Sequence, residues 1–204
     1  CPLCRKPTAD LHSHMGTHIL CASQGVGETD LYSTVGQLFP CGFCGHSGHP
    51  DCVVKLKSTK CTKEINTCCI YQIPFKYGFG ERGSTARPCC NVPVVCPLSV
   101  HCGHDTEFRD AVWHYNMEQH LSFFHPEYAH PGKVMGRHLP CHVFDILYIT
   151  PTKEKKASVP AHPAFTLIAE KENYGDLAVS TGQKRKGSST RAVAAEGSCS
   201  SGGK

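Results

Sequence analysis

Three observations predict the fold class: a small metal-stapled α+β protein, built as three tandem modules of short hairpins and short helices, with a disordered C-terminal tail. Hydrophobic residues make up only 40% of the 204, while glycine and proline contribute 19 and 14, too many chain breaks for one large apolar core. Cysteine and histidine are abundant, at 15 and 14, and they interleave at short spacings. Small cores need staples, either disulfides or metals. An odd number of cysteines, and histidines that would be idle in a disulfide scaffold, favour metal. Zinc is the expected ion, because it takes sulfur and nitrogen donors, and a reducing compartment follows.

Charge is uneven along the chain. Residues 1–150 hold 12 Lys/Arg against 12 Asp/Glu and residues 151–204 hold 9 against 5, so the net +4 lies in the tail. Zinc-bound thiolates would make the cysteine-rich part more negative still, which weakens simple phosphate binding. No run approaches the roughly 20 apolar residues of a membrane-spanning helix, and no charged-then-apolar leader opens the chain. Because it starts at Cys1 without a Met, the chain is expected to be part of a longer one.

The first module, residues 1–21, reads as a two-Cys/two-His (C2H2-type) zinc finger. Cys1 and Cys4 form a C-x2-C knuckle, and Leu11, His14 and His18 supply the apolar residue and two histidines of a finger helix, the histidines one turn apart on one face. Nine residues separate Cys4 from His14, fewer than the usual twelve or so, so the hairpin arm is clipped. His12 and Cys21 are spare, the first a surface candidate and the second a substitute ligand, with His18 preferred as the fourth donor. Counting back from His14 puts Pro7, Asp10 and Ser13 at the base-reading positions, and none is a strong reader.

Residues 22–39 read as a linker, whose Leu31, Val35, Leu38 and Phe39 either dock on the next module or ride on a passive tether. The second zinc module, residues 40–88, opens with PCGFCG. Cys41 and Cys44 form its knuckle, and the glycines between and after them let backbone amides turn toward sulfur. Cys52, Cys61, Cys68 and Cys69 compete for the remaining places, and His46 and His49 are expected to face solvent. Between these ligands Lys55, Lys57, Lys60 and Lys63 face a single nearby acid, Glu64, and are candidates for contact with phosphate or an acidic partner. The alternation through residues 70–79, broken by Pro74, predicts an edge strand.

The third module, residues 89–130, carries the only Trp. From Asp110 onward Trp113, Met117, Leu121 and Phe124 recur at helical spacing, which predicts a helix ended by Pro126. His120 and His125 leave its last turn, and Cys96 is the expected first ligand. The knuckle partner would be residue 99, but Ser99 stands there, and Cys102 is preferred to His101 as the replacement. Residues 131–150 should cap the fold with a strand at 143–149, which is rich in β-branched and aromatic residues. Residues 151–204 read as a disordered basic tail, in which Lys184, Arg185 and Lys186 suggest nuclear import.

In order, CPLC with LHSHMGTH, PCGFCG with the Cys69 to Tyr71 pair, CNVPVVCPL, and WHYNMEQHLSFFH resemble a group of fungal tandem Cys/His zinc-finger proteins, abundant in basidiomycetes. The resemblance spans about residues 1–160 and implies a tandem zinc-binding architecture, without implying an activity. It aligns Cys69, Tyr71 and Tyr77 with the group's aromatic spacing, and so selects Cys41, Cys44, Cys52 and Cys69 for the second site. Ser99 departs from the group's usual cysteine and puts the third site in doubt.

These readings lead to a non-enzymatic, nuclear, zinc-binding protein whose modules engage DNA or chromatin partners. The rival is a protein-interaction module, such as a RING-like ubiquitin ligase on Cys41 to Cys69, which needs eight ligands where six cysteines and two doubtful histidines stand. An enzyme is disfavoured: Asp105 and Glu107 beside His101 and His104 imitate an open zinc site, but no H-E-x-x-H or related signature is present. Neither a membrane nor a small-molecule substrate is expected as a partner.

Overall fold

The computed structural model describes residues 1–59, 62–74, 76–82, 91–99, 107–130, 133 and 135–160. The chain divides into a unit spanning Cys1–Ala169 and a second spanning Glu170–Lys204, and every described residue lies in the first. Its class is α+β, with short helices and very short strands.

Helix α1, Leu11–Ser23, is capped at both ends. Asp10 accepts from the Ser13 amide at 3.1 Å, an N-cap that satisfies one of the orphan donors of the first turn. At the other end Gly25 takes a left-handed φ of 68°, while Val26 N–H donates to Cys21 O and Gly25 N–H to Ala22 O. That pair of bonds is a Schellman close, which a glycine makes without steric cost. Met15, Ile19 and Leu20 bury one face against Leu3, Tyr115 and Val159.

The expected linker is part of this packing. Tyr32 and Ser33 amides both donate to Leu3 O, and Leu31 and Val35 lie on the first core. Gly36 N–H then donates to Gly45 O at 2.7 Å, which ties the segment to the second knuckle.

Strands β1, Lys55–Ser58, and β2, Lys63–Asn66, form an antiparallel hairpin with Leu56 opposite Ile65. The expected strand over residues 70–79 is not seen among the described residues. Helix α2, Tyr77–Arg82, occupies its end, and the buried Tyr77 hydroxyl donates to Pro93 O at 2.6 Å. Pro74 breaks the alternation, and Tyr77 finds its apolar neighbours, Leu56 and Val92, from a helix.

The segment read as one helix from Asp110 is divided. β3 is Pro93–Val94, β4 Arg109–Asp110 and β5 Val112–Trp113. β4 pairs with β1 and β5 with β3, both antiparallel, then a 3-10 turn at His114–Asn116 leads into helix α3, Met117–Phe124. Pairing to two neighbouring strands outweighs the helical spacing of Trp113, whose ring enters a different core from that of Met117 and Leu121.

The expected capping strand at 143–149 is instead helix α4, Cys141–Leu147. Val143, Phe144 and Leu147 share one helical face and close over Met117 and Leu121, so burial overrides β-propensity. The start of the segment expected to be a disordered tail is helical, and its residues 161–204 lie outside the described residues. Helix α5, Pro151–Ala157, begins with a proline, which its first turn tolerates, and Val159 beyond it joins the core of α1.

The cores meet along a single stretch. Trp113 enters the core with Phe43, Tyr115 the core with Met15, and Met117 the core with Val143. His114 N–H donates to Val92 O, Tyr115 N–H to the Asn91 side chain, and the Asn116 side chain to Pro40 O. The three regions are thus joined in one unit and not strung as separable beads.

Candidate metal centres

Three groups of cysteine and histidine converge, each with its donor atoms within 4.8 Å of one another: Cys1, Cys4, His14 and His18; Cys41, Cys44, Cys52 and Cys69; and Cys96, His120 and His125. No disulfide joins any described cysteine.

The first group is built by a turn and a helix. Arg5 N–H donates to Cys1 O at 2.9 Å, closing the knuckle, and α1 presents His14 and His18 one turn apart. Cys4 Sγ lies 3.2 Å from His14 Nε2, and the two Nε2 atoms face each other at 3.1 Å. Around a tetrahedral zinc, bond lengths of about 2.0–2.1 Å place neighbouring nitrogens about 3.3 Å apart. The donors therefore stand near the edges of such a tetrahedron. Burial, then His18, lowers the pKa of His14, keeping the imidazole in the neutral form that a metal needs.

A feature the sequence did not suggest completes this site. Glu28, from the expected linker, reaches His18 Nδ1 with both carboxylate oxygens, at 2.8 and 3.0 Å. A carboxylate there holds the Nδ1 proton and turns Nε2 toward the metal position. Nothing in the spacing of a lone acid ten residues past a histidine signals this, because the loop must fold back first. The spare residues serve packing. His12, expected at the surface, is buried between Phe43 and Trp113 and bonds Asn91 O at 2.7 Å, and Cys21 is buried near Ala157 O.

In the second group Gly45 N–H donates to Cys41 O at 2.7 Å, repeating the first knuckle. Gly45 has φ 74°, and a Cβ there would meet Leu3 at 2.6 Å and Met15 at 2.8 Å, so glycine is needed for both backbone and space. Gly42 lies against the Trp113 ring with no room for a Cβ. Cys44 and Cys52 sulfurs are 3.6 Å apart, close to the roughly 3.8 Å edge of a zinc tetrathiolate. Hydrogen bonding from Cys41 holds the Cys44 thiol down to about 4, whereas burial, then Cys44, pushes Cys52 up to about 12. One thiolate is thus favoured before any ion enters, and the raised thiols of Cys41 and Cys52 need the cation to ionise.

Cys68 is exposed and outside the group, while Cys61 lies outside the described residues. His46 approaches Ser33 Oγ at 3.2 Å, and the exposed His49 caps the 3-10 turn Pro50–Cys52. Among the described residues, positions 41–69 therefore gather one set of four donors.

The third group sets Cys96 Sγ 3.4 Å from His125 Nε2. Burial, then the charge of His125, lowers His120 to about 4. His120 Nε2 is buried without a hydrogen-bond partner, an orphan that a metal would satisfy. Ser99 Oγ lies 3.3 Å from His125 Nε2. Cys102, expected as the fourth ligand, lies outside the described residues, as do His101, His104 and Asp105.

The lysine cluster is less open than its sequence implied. Lys55 pairs with Asp110 at 3.9 Å, Lys63 with Glu81 at 2.7 Å, and Lys57 sits 5.7 Å over the Phe108 ring. Lys60 and the run at Lys184, Arg185 and Lys186 lie outside the described residues. The fold brings acids to these lysines from β4 and α2, which local sequence cannot reveal.

No family model matches the chain, and neither a curated protein nor a solved structure matches it.

Proposed function

We propose that this chain is a non-enzymatic domain folded around three zinc ions, which presents a rigid surface to a protein partner in the nucleus, chromatin proteins being the class in view. One observation carries the reading: three groups of sulfur and nitrogen donors, eleven residues in all, converge within 4.8 Å in each group. Donor sets of this kind suit tetrahedral zinc better than the harder, oxygen-seeking cations.

Protein is preferred to duplex DNA on two grounds. The described lysines of the hairpin are engaged by Asp110, Glu81 and Phe108, and Pro7, Asp10 and Ser13 are poor base readers. Meanwhile Leu38, Phe123 and Phe124 are exposed at 52, 58 and 63%, and Phe39 stacks near both phenylalanines at 5.8 and 6.1 Å. An exposed aromatic cluster is the ordinary mark of a protein-binding surface.

Native mass spectrometry of the full chain, with and without chelator, tests the metal half. Three zinc ions per chain are expected, lost together with compactness on chelation. A metal-free protein that stays compact and ignores EDTA would refute it. A DNA-retention series in salt tests the partner half, where tight binding that weakens steeply with salt would restore DNA as the partner.

A further inference from the structure

We infer that the third group is an open metal site: Cys96, His120 and His125 hold the ion, and Ser99 leaves the fourth position to an exchangeable water that a small anionic donor displaces. This rests on the three-zinc reading above.

The position of Ser99 is fixed by comparison within the molecule. In the first group the second knuckle residue, Cys4, puts its sulfur 3.2 Å from Nε2 of a helix histidine. In the third, Ser99 puts its hydroxyl oxygen 3.3 Å from Nε2 of His125, and its amide donates back to Cys96 O at 3.3 Å. Ser99 thus takes the place that a knuckle reserves for thiolate. A neutral hydroxyl is a feeble zinc ligand, so this vertex is held weakly.

His120 supplies the independent sign that an ion belongs here. It is nine-tenths buried on the face of α3 that carries Met117 and Leu121, yet its Nε2 meets no hydrogen-bond partner. A buried donor or acceptor left bare is costly, and a metal at the convergence of Cys96, His120 and His125 would satisfy it.

Charge selects the ligand class. Zinc with two thiolates and two neutral imidazoles is neutral, and with four thiolates it is doubly negative. With one thiolate and two imidazoles it keeps a single positive charge, which favours an anion at the open vertex. Ser99 is half-buried and its neighbour Pro97 exposed, so solvent reaches that side. Among the described residues no carboxylate joins the group.

The test uses the full chain loaded with cobalt(II), with azide as the probe. Three cobalt ions per chain and a saturable azide-dependent change in the d–d bands are expected, confined to about a third of the absorbance. Ser99→Cys should keep three ions, gain sulfur-to-cobalt charge transfer and lose the azide response. Cys102→Ser should keep both the third ion and the response. Three ions with no azide response in the native chain would overturn the open site alone, as would loss of the third ion in Cys102→Ser or an azide response surviving in Ser99→Cys. Fewer than three ions in the native chain would overturn the three-zinc reading along with it.

Discussion

At the scale of single residues, the side chains that matter most beyond the ligands are those no motif names. Glu28 grips His18 Nδ1 through both oxygens. Partners of this kind are worth roughly 10–100-fold in metal affinity, and Glu28→Gln should weaken the first site by about that factor, measured by competition with a chromophoric chelator. Unchanged affinity would reduce Glu28 to a bystander. His12 makes a second case. Burial lowers its pKa from the ordinary 6.5, so the unfolded chain binds a proton that the folded chain resists. The stability of its neutral form is therefore present above about pH 6.5 and is lost as pH falls below that value. The midpoint of denaturation should drop more between pH 7.5 and 5.5 for the native chain than for His12→Gln, since both carry the same metal ligands. Equal drops would remove His12 from the account. Most members of the three donor groups were legible because knuckle and helix spacing are local. The choice of Cys52 and Cys69 comes instead from the resemblance, Cys102 lies outside the described residues, and Glu28 and the burial of His12 depend on chain segments arriving from elsewhere.

Elements were read well where one local pattern governs them and poorly where tertiary contacts compete. Helix α1 is legible from Leu11, His14 and His18, and its Asp10 cap and Gly25 stop, local signals which that reading does not use, bound it in the structure. Residues 141–147 carry β-favouring side chains, yet Val143, Phe144 and Leu147 also match a helical face, and the cleft over Met117 and Leu121 decides for the helix. The hairpin β1–β2 shows the converse problem for function. Its lysines look like a phosphate clamp until β4 and α2 bring Asp110 and Glu81 beside them. Exposed pairs of this kind contribute about 0–1 kcal/mol each. Replacing Lys55, Lys57 and Lys63 together with Gln should therefore lower stability by no more than about 2 kcal/mol and leave DNA retention at low salt unchanged. A large loss of retention in a filter-binding assay would return these lysines to the binding surface.

At the scale of the whole described unit, the decisive feature is that Trp113, Tyr115 and Met117 sit within five consecutive residues and each enters the hydrophobic cluster associated with a different candidate metal group. Cys41, Cys44 and Cys69 line the cluster of Trp113, Cys96 that of Met117, and Cys1 packs against that of Tyr115. Composition foretold small cores but not their fusion, because the contacts that join them run between residues far apart in sequence. A string of independent fingers would lose its sites one by one. A fused domain should lose them together, since opening any core exposes apolar surface of the stretch shared by all three. The single Trp gives a test, because Trp113 reports on the second core, against Phe43 at 5.0 Å. Cys4→Ser, which damages only the first group, should lower the midpoint of thermal unfolding followed by Trp113 fluorescence. With a loss of about 2 kcal/mol in a chain of this size, the shift would be about 4–8 °C, matched by circular dichroism. Were Trp113 to melt at the native midpoint while helical signal from α1 vanished early, the three sites would be independent, and the fusion inferred from the shared stretch would fail.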